Sequence, residues 1–249
     1  MGRKLGQHFL VRRSTLERIA QSVCPEPAEL VVEIGPGKGA LTERLIPRAR
    51  RLIAIEVDPS LIDPLRRRFA AAPGFELLQA DILQTDLTQW GPLTLAGNLP
   101  YYIASPIIEK ALAAGRFVKR AVFLVQKEVA DRLTAAPGSR DYGYLTVQTQ
   151  LLSEARSLFR VPPSAFRPPP KVDSAVIELT PRPAPLTTDT SSFLEFASLC
   201  FRMKRKTLRN NLSGAYPAIS SQPESRLRAE QVPLEQLLDL HARLSSSRP

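Results

Sequence analysis

Residues 31–41 read Val-Val-Glu-Ile-Gly-Pro-Gly-Lys-Gly-Ala-Leu, and no other stretch restricts the fold as strongly. The mostly apolar run 31–34 stops at a glycine, as a buried strand does when it ends at a turn. Gly35, Gly37 and Gly39 alternate, so the backbone can bend tightly and approach a ligand with no Cβ in the way. From Ala40 the period turns helical, with Leu41, Leu45 and Ile46 on one face. Strand, glycine turn and helix start predict a nucleotide-type site with free N–H groups at the helix N-terminus. In such sites a carboxylate about twenty residues past the first glycine holds a ribose hydroxyl pair. Glu56 stands there, near the end of the apolar run 52–57. The cofactor stays open on this motif: Gly35-x-Gly37-x-x-Ala40 also satisfies the relaxed dinucleotide fingerprint. A nicotinamide enzyme, an S-adenosylmethionine enzyme and a tight turn without a ligand all fit it.

Downstream, strands are predicted at 30–34, 52–57, 75–79, 93–97 and 121–126, and helices at 40–49, 59–71, 104–114 and 126–135, after a first helix at 13–23. This alternation predicts a parallel sheet covered on both faces, with ligands beyond the C-terminal ends of its strands. Glu56, Asp81 and Asn98 all fall at or just past such ends. Asp81 is placed to accept a hydrogen bond from an exocyclic amine of adenine; a cap or turn role is the alternative.

The segment 96–102, Ala-Gly-Asn-Leu-Pro-Tyr-Tyr, carries the chemistry. Pro100 pushes Leu99 into an extended conformation, which gives the Leu99 carbonyl a set direction. With the Asn98 amide oxygen beside it, two acceptors face one –NH2 group. Tyr101 adds a flat face for a base. An exocyclic amine is a poor nucleophile because its lone pair is delocalised into the ring. Two acceptors on its hydrogens draw it toward tetrahedral geometry and localise that pair. Catalysis then needs positioning and charge complementarity rather than a metal or a covalent nucleophile. Hydride transfer has no evident use for this arrangement; a proline turn that closes a strand is the alternative reading.

The chain of 249 residues carries a formal net charge of +10, which favours a polyanionic partner, nucleic acid above all. Its two cysteines, Cys24 and Cys200, read as reduced thiols, and with only His8 and His241 as histidines no metal site is expected. No apolar run reaches the roughly 20 residues a bilayer requires, so a soluble, unexported, cytoplasmic protein without membrane contact is expected. The basic N-terminus, residues 2–10, is an ordinary tail or a cover for the cofactor.

A helix is predicted from 140, continued over 145–152 or giving way to a strand there. Residues 159–171 hold too much proline for a regular element, and 175–179 reads as the final strand. Residues 180–192 read as a linker. Beyond it, Leu194, Phe201, Leu208 and Leu212 form one helical stripe, and Arg202, Arg205, Lys206 and Arg209 form a basic stripe suited to RNA backbone. A last helix is predicted over 234–244, followed by a frayed end at 245–249. Two domains follow: 1–180, binding the cofactor, and 181–249, helical and RNA-binding.

Six ordered blocks then carry a resemblance: Gly-Gln-His-Phe-Leu (6–10), Glu-Ile-Gly-Pro-Gly (33–37), Ile-Glu (55–56), Asn-Leu-Pro-Tyr (98–101), Gln-Lys-Glu-Val (126–129) and Val-Pro-Pro-Ser-Ala-Phe-Arg-Pro-Pro-Pro-Lys-Val-Asp-Ser (161–174). Over nearly its whole length the chain resembles the KsgA-type small-subunit rRNA adenine N6-dimethyltransferases, which also resemble the macrolide-resistance rRNA methyltransferases. The resemblance implies an α/β fold: a Rossmann-like class I methyltransferase sheet with a small all-helical C-terminal domain. It implies S-adenosyl-L-methionine as cofactor, contacted at His8, Leu10, Gly35, Glu56, Asp81 and Asn98, with Gly37 in the same loop. Relatives often carry asparagine at the position of His8, whose contact is then made through backbone. It implies catalysis by Asn98, Leu99, Pro100 and Tyr101, with Phe166 across the target adenine from Tyr101, and phosphates held by Arg160, Arg167 and Lys171. The implied reaction is N6,N6-dimethylation of two adjacent adenines near the 3′ end of 16S rRNA, within the small ribosomal subunit or its precursor, by a monomer with a part in ribosome biogenesis. Leu99 fits the housekeeping branch, since the resistance enzymes more often have isoleucine there. The alternatives are a resistance-type 23S rRNA methyltransferase, an assembly factor in which methylation is secondary, and a dinucleotide oxidoreductase.

Overall fold

The computed structural model describes residues 8–246. The expectations for residues 2–7, and for 247–249 at the other end, lie outside the described residues. In chain order the elements are β1 (Phe9–Leu10), α1 (Arg13–Val23), β2 (Ala28–Ile34), α2 (Thr42–Leu45), β3 (Ala49–Glu56), α3 (Pro59–Arg68), β4 (Phe75–Gln79), β5 (Leu93–Asn98), α4 (Ala104–Ala113), β6 (Val118–Gln126), α5 (Lys127–Leu133), α6 (Tyr144–Leu152), β7 (Ser153–Val161), β8 (Phe166–Arg167), β9 (Ser174–Pro181), α7 (Thr190–Phe201), α8 (Leu208–Leu212) and α9 (Leu234–Ser245).

Seven strands form one sheet in the order β4-β3-β2-β5-β6-β9-β7. The run from β4 to β6 is parallel throughout, and β9 returns antiparallel against β6. The order reverses between β2 and β5, which opens a crevice beyond their C-terminal ends. Buried on both faces, β2, β3 and β5 read as apolar runs: Val31, Val32, Leu52, Ile53, Leu95 and Ala96 are each at most 1% exposed. β1 and β8 make a separate two-stranded pairing, Leu10 opposite Phe166.

The chain divides into two compact units. The first takes the described residues up to Ala130 together with Glu154–Arg182; the second takes Asp131–Ser153 and the residues from Pro183 on. The expected boundary near 180 is therefore incomplete, because 131–153 packs with the C-terminal helices. Tyr142, Val147 and Leu151 share a buried cluster with Phe193, Phe196 and Leu237. An amphipathic helix is placed by whichever apolar surface covers its stripe, and sequence order does not say which. Within this unit the described residues form helices, turns and one isolated bridge, Thr207 to Arg228.

Four local expectations are corrected. The helix predicted over 40–49 shrinks to α2 and a 3₁₀ turn Ile46–Arg48 with Pro47 inside it. β7 runs to Val161, so 159–161 is strand, and the proline-rich block adds β8. The alternating polar residues of β7 had hidden it; it lies at the sheet's edge, where polar side chains are tolerated. The buried face of α7 is Phe193, Phe196, Ala197 and Cys200, with Leu194 and Phe201 only partly buried beside it. Finally, α7 ends at Phe201 and α8 begins at Leu208, so Arg202, Arg205 and Lys206 stand on a turn between helices. No described helix is long and apolar enough to cross a membrane.

Candidate active site

At the C-terminal ends of β2, β3 and β5 lies a cavity of about 180 Å³. Gly35, Gly37, Glu56 and Asp81 line one side, and His8, Leu10, Asn98, Leu99, Pro100 and Tyr101 line the other. The glycine turn is held differently from the expectation of free N–H groups. The Gly35 N–H donates to the Ile55 carbonyl at 2.9 Å and that of Gly39 to the Pro36 carbonyl at 2.9 Å. The Gly37 N–H donates to Glu56 Oε2 at 3.1 Å. With α2 only one turn long, the helix N-terminus contributes little. What the glycines supply is shape. Gly35 and Gly37 have φ of +64° and +59°, and a Cβ at Gly35 would meet nothing within 4 Å, so the space beside it is open to a ligand.

Glu56 is 4% exposed and ends β3. The Asp58 N–H donates to its Oε1 at 2.9 Å, so with Gly37 each carboxylate oxygen is anchored by one backbone donor and keeps further acceptor capacity. Asp81 accepts the Leu83 N–H at 2.8 Å, closing the turn after β4, while remaining exposed at the cavity. The turn role is the one these contacts show, and the carboxylate also lines the cavity.

On the opposite wall, Asn98 Nδ2 donates to the His8 carbonyl at 3.0 Å, which sets the orientation of its amide. The Leu99 N–H donates to the Leu124 carbonyl at 3.0 Å, and Pro100 follows at φ −59° and ψ 127°. The Asn98 Oδ1 and the Leu99 carbonyl thus keep their lone pairs uncommitted to protein donors among the described residues. Tyr101 is half-buried, and its Oη pairs with the Ser174 hydroxyl at 2.7 Å. Burial pushes the phenol's pKa up against that hydrogen bond, so it stays protonated.

Phe166 is corrected. It is 0% exposed, packed with Leu10, Leu16 and Ala165, and does not line the cavity. Its pairing with Leu10 turns the ring into the core, so it offers no free face to a base. Arg160 is ion-paired with Asp173, Arg167 donates to the Phe166 carbonyl at 2.8 Å, and Lys171 is exposed.

Two side chains escaped the sequence reading. Glu33, 2% exposed inside β2, accepts the Thr42 hydroxyl at 2.6 Å. Burial raises its pKa to about 7, with Thr42 opposing and the Glu56 charge adding to the rise. The available signal was a carboxylate two residues before the first glycine of the turn, in an otherwise apolar run. Asn211, 3% exposed in the C-terminal unit, is the second: its Nδ2 donates to the Cys200 carbonyl at 2.7 Å, and its Oδ1 accepts from the Met203 N–H at 3.2 Å. It clamps the turn that carries Arg202, Arg205 and Lys206, all exposed, as is Arg209 on α8.

A model of the ribosomal RNA adenine dimethylase family matches residues 1–244. This chain belongs to that family. It is a methyltransferase of rRNA adenine with S-adenosylmethionine as methyl donor. The ribosomal RNA small subunit methyltransferase A of Xanthomonas campestris pv. campestris (strain B100) is 43% identical over 248 residues, 96% of this chain and 94% of its own. A dimethyladenosine transferase from Plasmodium falciparum matches with a TM-score of 0.82 at 25% identity, over 96% of this chain and 98% of that one. The 23S rRNA methyltransferase ErmE matches with a TM-score of 0.75 at 32% identity, over 95% and 99%. The donor fits the cavity as built: open space beside Gly35, an anchored carboxylate at Glu56, and a polar turn at Asp81.

Proposed function

We propose that this enzyme dimethylates N6 of two adjacent adenines near the 3′ end of 16S rRNA, in the small subunit or its precursor, and acts as a monomer in the cytoplasm. The observation that carries the chemistry is the orientation of Asn98. With Nδ2 spent on the His8 carbonyl, Oδ1 is left to accept, beside the Leu99 carbonyl. In the first transfer those two oxygens take the two hydrogens of the adenine amine and turn its lone pair toward the methyl group; in the second, the one hydrogen left on N6 goes to one of them, and each transfer releases one proton. The bound cofactor supplies a sulfonium-activated methyl, an electrophile strong enough that no metal or covalent nucleophile is required. The proton lost from N6 passes to solvent.

Glu56 accepts from the ribose hydroxyls, Asp81 from the adenine amine of the cofactor, and the backbone at His8 and Leu10 closes over it, with Gly35 and Gly37 giving close approach. Tyr101 stacks on the target base, which leaves its own stack at a cost of roughly a few kcal/mol. Arg202, Arg205, Lys206 and Arg209, with Arg160 and Lys171, hold phosphates. Small-subunit choice is supported by the relative named for that subunit, more similar to this chain than the 23S enzyme is.

The test offers purified small and large subunits, unmodified, with labelled cofactor. Label in two adjacent adenines of 16S rRNA is the expected result. Label confined to 23S rRNA would assign the resistance-type reaction instead.

A further inference from the structure

The imidazole of His8 lies against the ring of Tyr101, with centroids 5.7 Å apart and planes 29° from parallel. Its Nδ1 pairs with the Pro168 carbonyl at 2.9 Å. A carbonyl can only accept, so Nδ1 carries the proton, and this bond sets the tilt of the ring. The two stacked rings are held very differently. Tyr101 is fixed at its far end by Ser174 and at its backbone by the turn after Pro100. Among the described residues the His8 ring has that one hydrogen bond.

The strap that bears His8 is anchored beyond it. Leu10 is 4% exposed, and the N–H groups of Val11 and Arg12 donate to the Ala165 carbonyl at 2.8 and 3.2 Å. The His8 ring can therefore turn about its own side-chain bonds while the strap, and the carbonyl that Asn98 reads, stay where they are. Tyr101 is the platform of the pair and His8 the movable part.

A purine that brings its amine to Asn98 and Leu99 has to lay its face on a ring next to them. Phe166 is closed to it by burial. Tyr101 is half-buried beside the acceptors, and a flat, polar-edged heterocycle already sits on it. We propose that His8 is a positioning residue that stands in for the target adenine. It covers Tyr101 when no RNA is bound, and it swings away, giving up its bond to Pro168, as the base enters. This rests on the reading of the cavity as an adenine-methylating site. The exchange replaces one stacked ring with a larger one, so base entry meets a dry, preshaped slot rather than a hydrated one. It also sets a threshold: a ring that stacks but cannot donate to the two oxygens recovers less than the imidazole gave up.

The test compares steady-state methylation of unmodified small subunits by the full chain and by His8→Ala and His8→Asn, with cofactor affinity measured separately by calorimetry. Both variants keep the backbone carbonyl and lose the ring that competes with the base. The expected result is a fall of about threefold to tenfold in KM for the subunit, larger than any change in kcat, with cofactor affinity within about threefold of the unchanged chain. A rise in KM for both variants would make the imidazole a wall of the base slot and overturn the proposal. So would a loss of cofactor affinity with KM unchanged, which would assign the ring to the cofactor. Absence of any methyl transfer to rRNA adenine by the unchanged chain is a separate outcome: it overturns the underlying reading, and the stand-in role falls with it.

Discussion

Thr42 donates its hydroxyl to Glu33 at 2.6 Å, and both side chains are shut away from solvent beneath the glycine turn. The bond ties the start of α2 to β2 across the loop that shapes the cavity. Burial raises the Glu33 carboxyl from its ordinary value of 4.5 to about 7. Between those values the folded chain binds more protons than the unfolded one, so stability falls as pH rises through the window, and the loss is complete above about pH 7. The total is roughly 3 kcal/mol. Urea unfolding of the unchanged chain and of Glu33→Gln at pH 5 and pH 8 isolates this contribution, because the variant has no proton to lose there. Equal pH slopes for the two would remove Glu33 from the account.

Asn98→Ala removes one of the two oxygens facing the amine and releases the His8 carbonyl. Methyl transfer is expected to drop by about 100-fold or more, the scale set by deleting one group of a preorganised electrostatic pair. Single-turnover assays at saturating cofactor measure it, with affinity checked by calorimetry. Undiminished transfer would mean that the acceptor pair does not orient the amine.

Glu56→Ala deletes the carboxylate that two backbone donors hold in place. A charged hydrogen-bond partner contributes about 1.5–3 kcal/mol, so cofactor affinity should weaken about 10- to 150-fold. Calorimetric titration with S-adenosylhomocysteine is the direct measurement.

Phe166→Ala separates two roles for that ring. Its complete burial predicts a cavity and a loss of about 3–5 kcal/mol in stability, read as a lower urea midpoint without cofactor or RNA. A ring that served only to stack on the base would leave that midpoint where it was and change KM for the subunit.

Changing Arg202, Arg205 and Lys206 together to Gln tests the turn clamped by Asn211. The slope of log affinity against log salt should flatten by about 0.7–0.9 for each phosphate that the variant no longer neutralises. Filter binding to small subunits over a salt series gives the slope. An unaltered slope would show that these charges merely face water.

The elements that sequence placed well share a local cause. α1 at Arg13–Val23 and β4 at Phe75–Gln79 match their expected bounds because apolar spacing of one period runs through each. The glycine turn, Glu56, Asp81 and the Asn98–Tyr101 segment were legible as one sheet edge, since strand alternation brings successive C-terminal ends to the same side. β7 was not legible, because an edge strand with one polar face looks like a loop. Neither was the pairing of 131–153 with the C-terminal helices.

By itself, then, the sequence determined the doubly wound parallel core, the glycine turn and the order of polar groups along its rim. These follow from backbone preferences and side-chain periodicity within windows of a few residues. Tertiary structure alone decided that Phe166 turns inward, that Glu33 is buried beside Thr42, and that His8 meets Asn98 and Tyr101. The contacts of His8 alone join segments as much as 160 residues apart. Their geometry depends on how whole elements pack, and no local pattern in the chain carries that information.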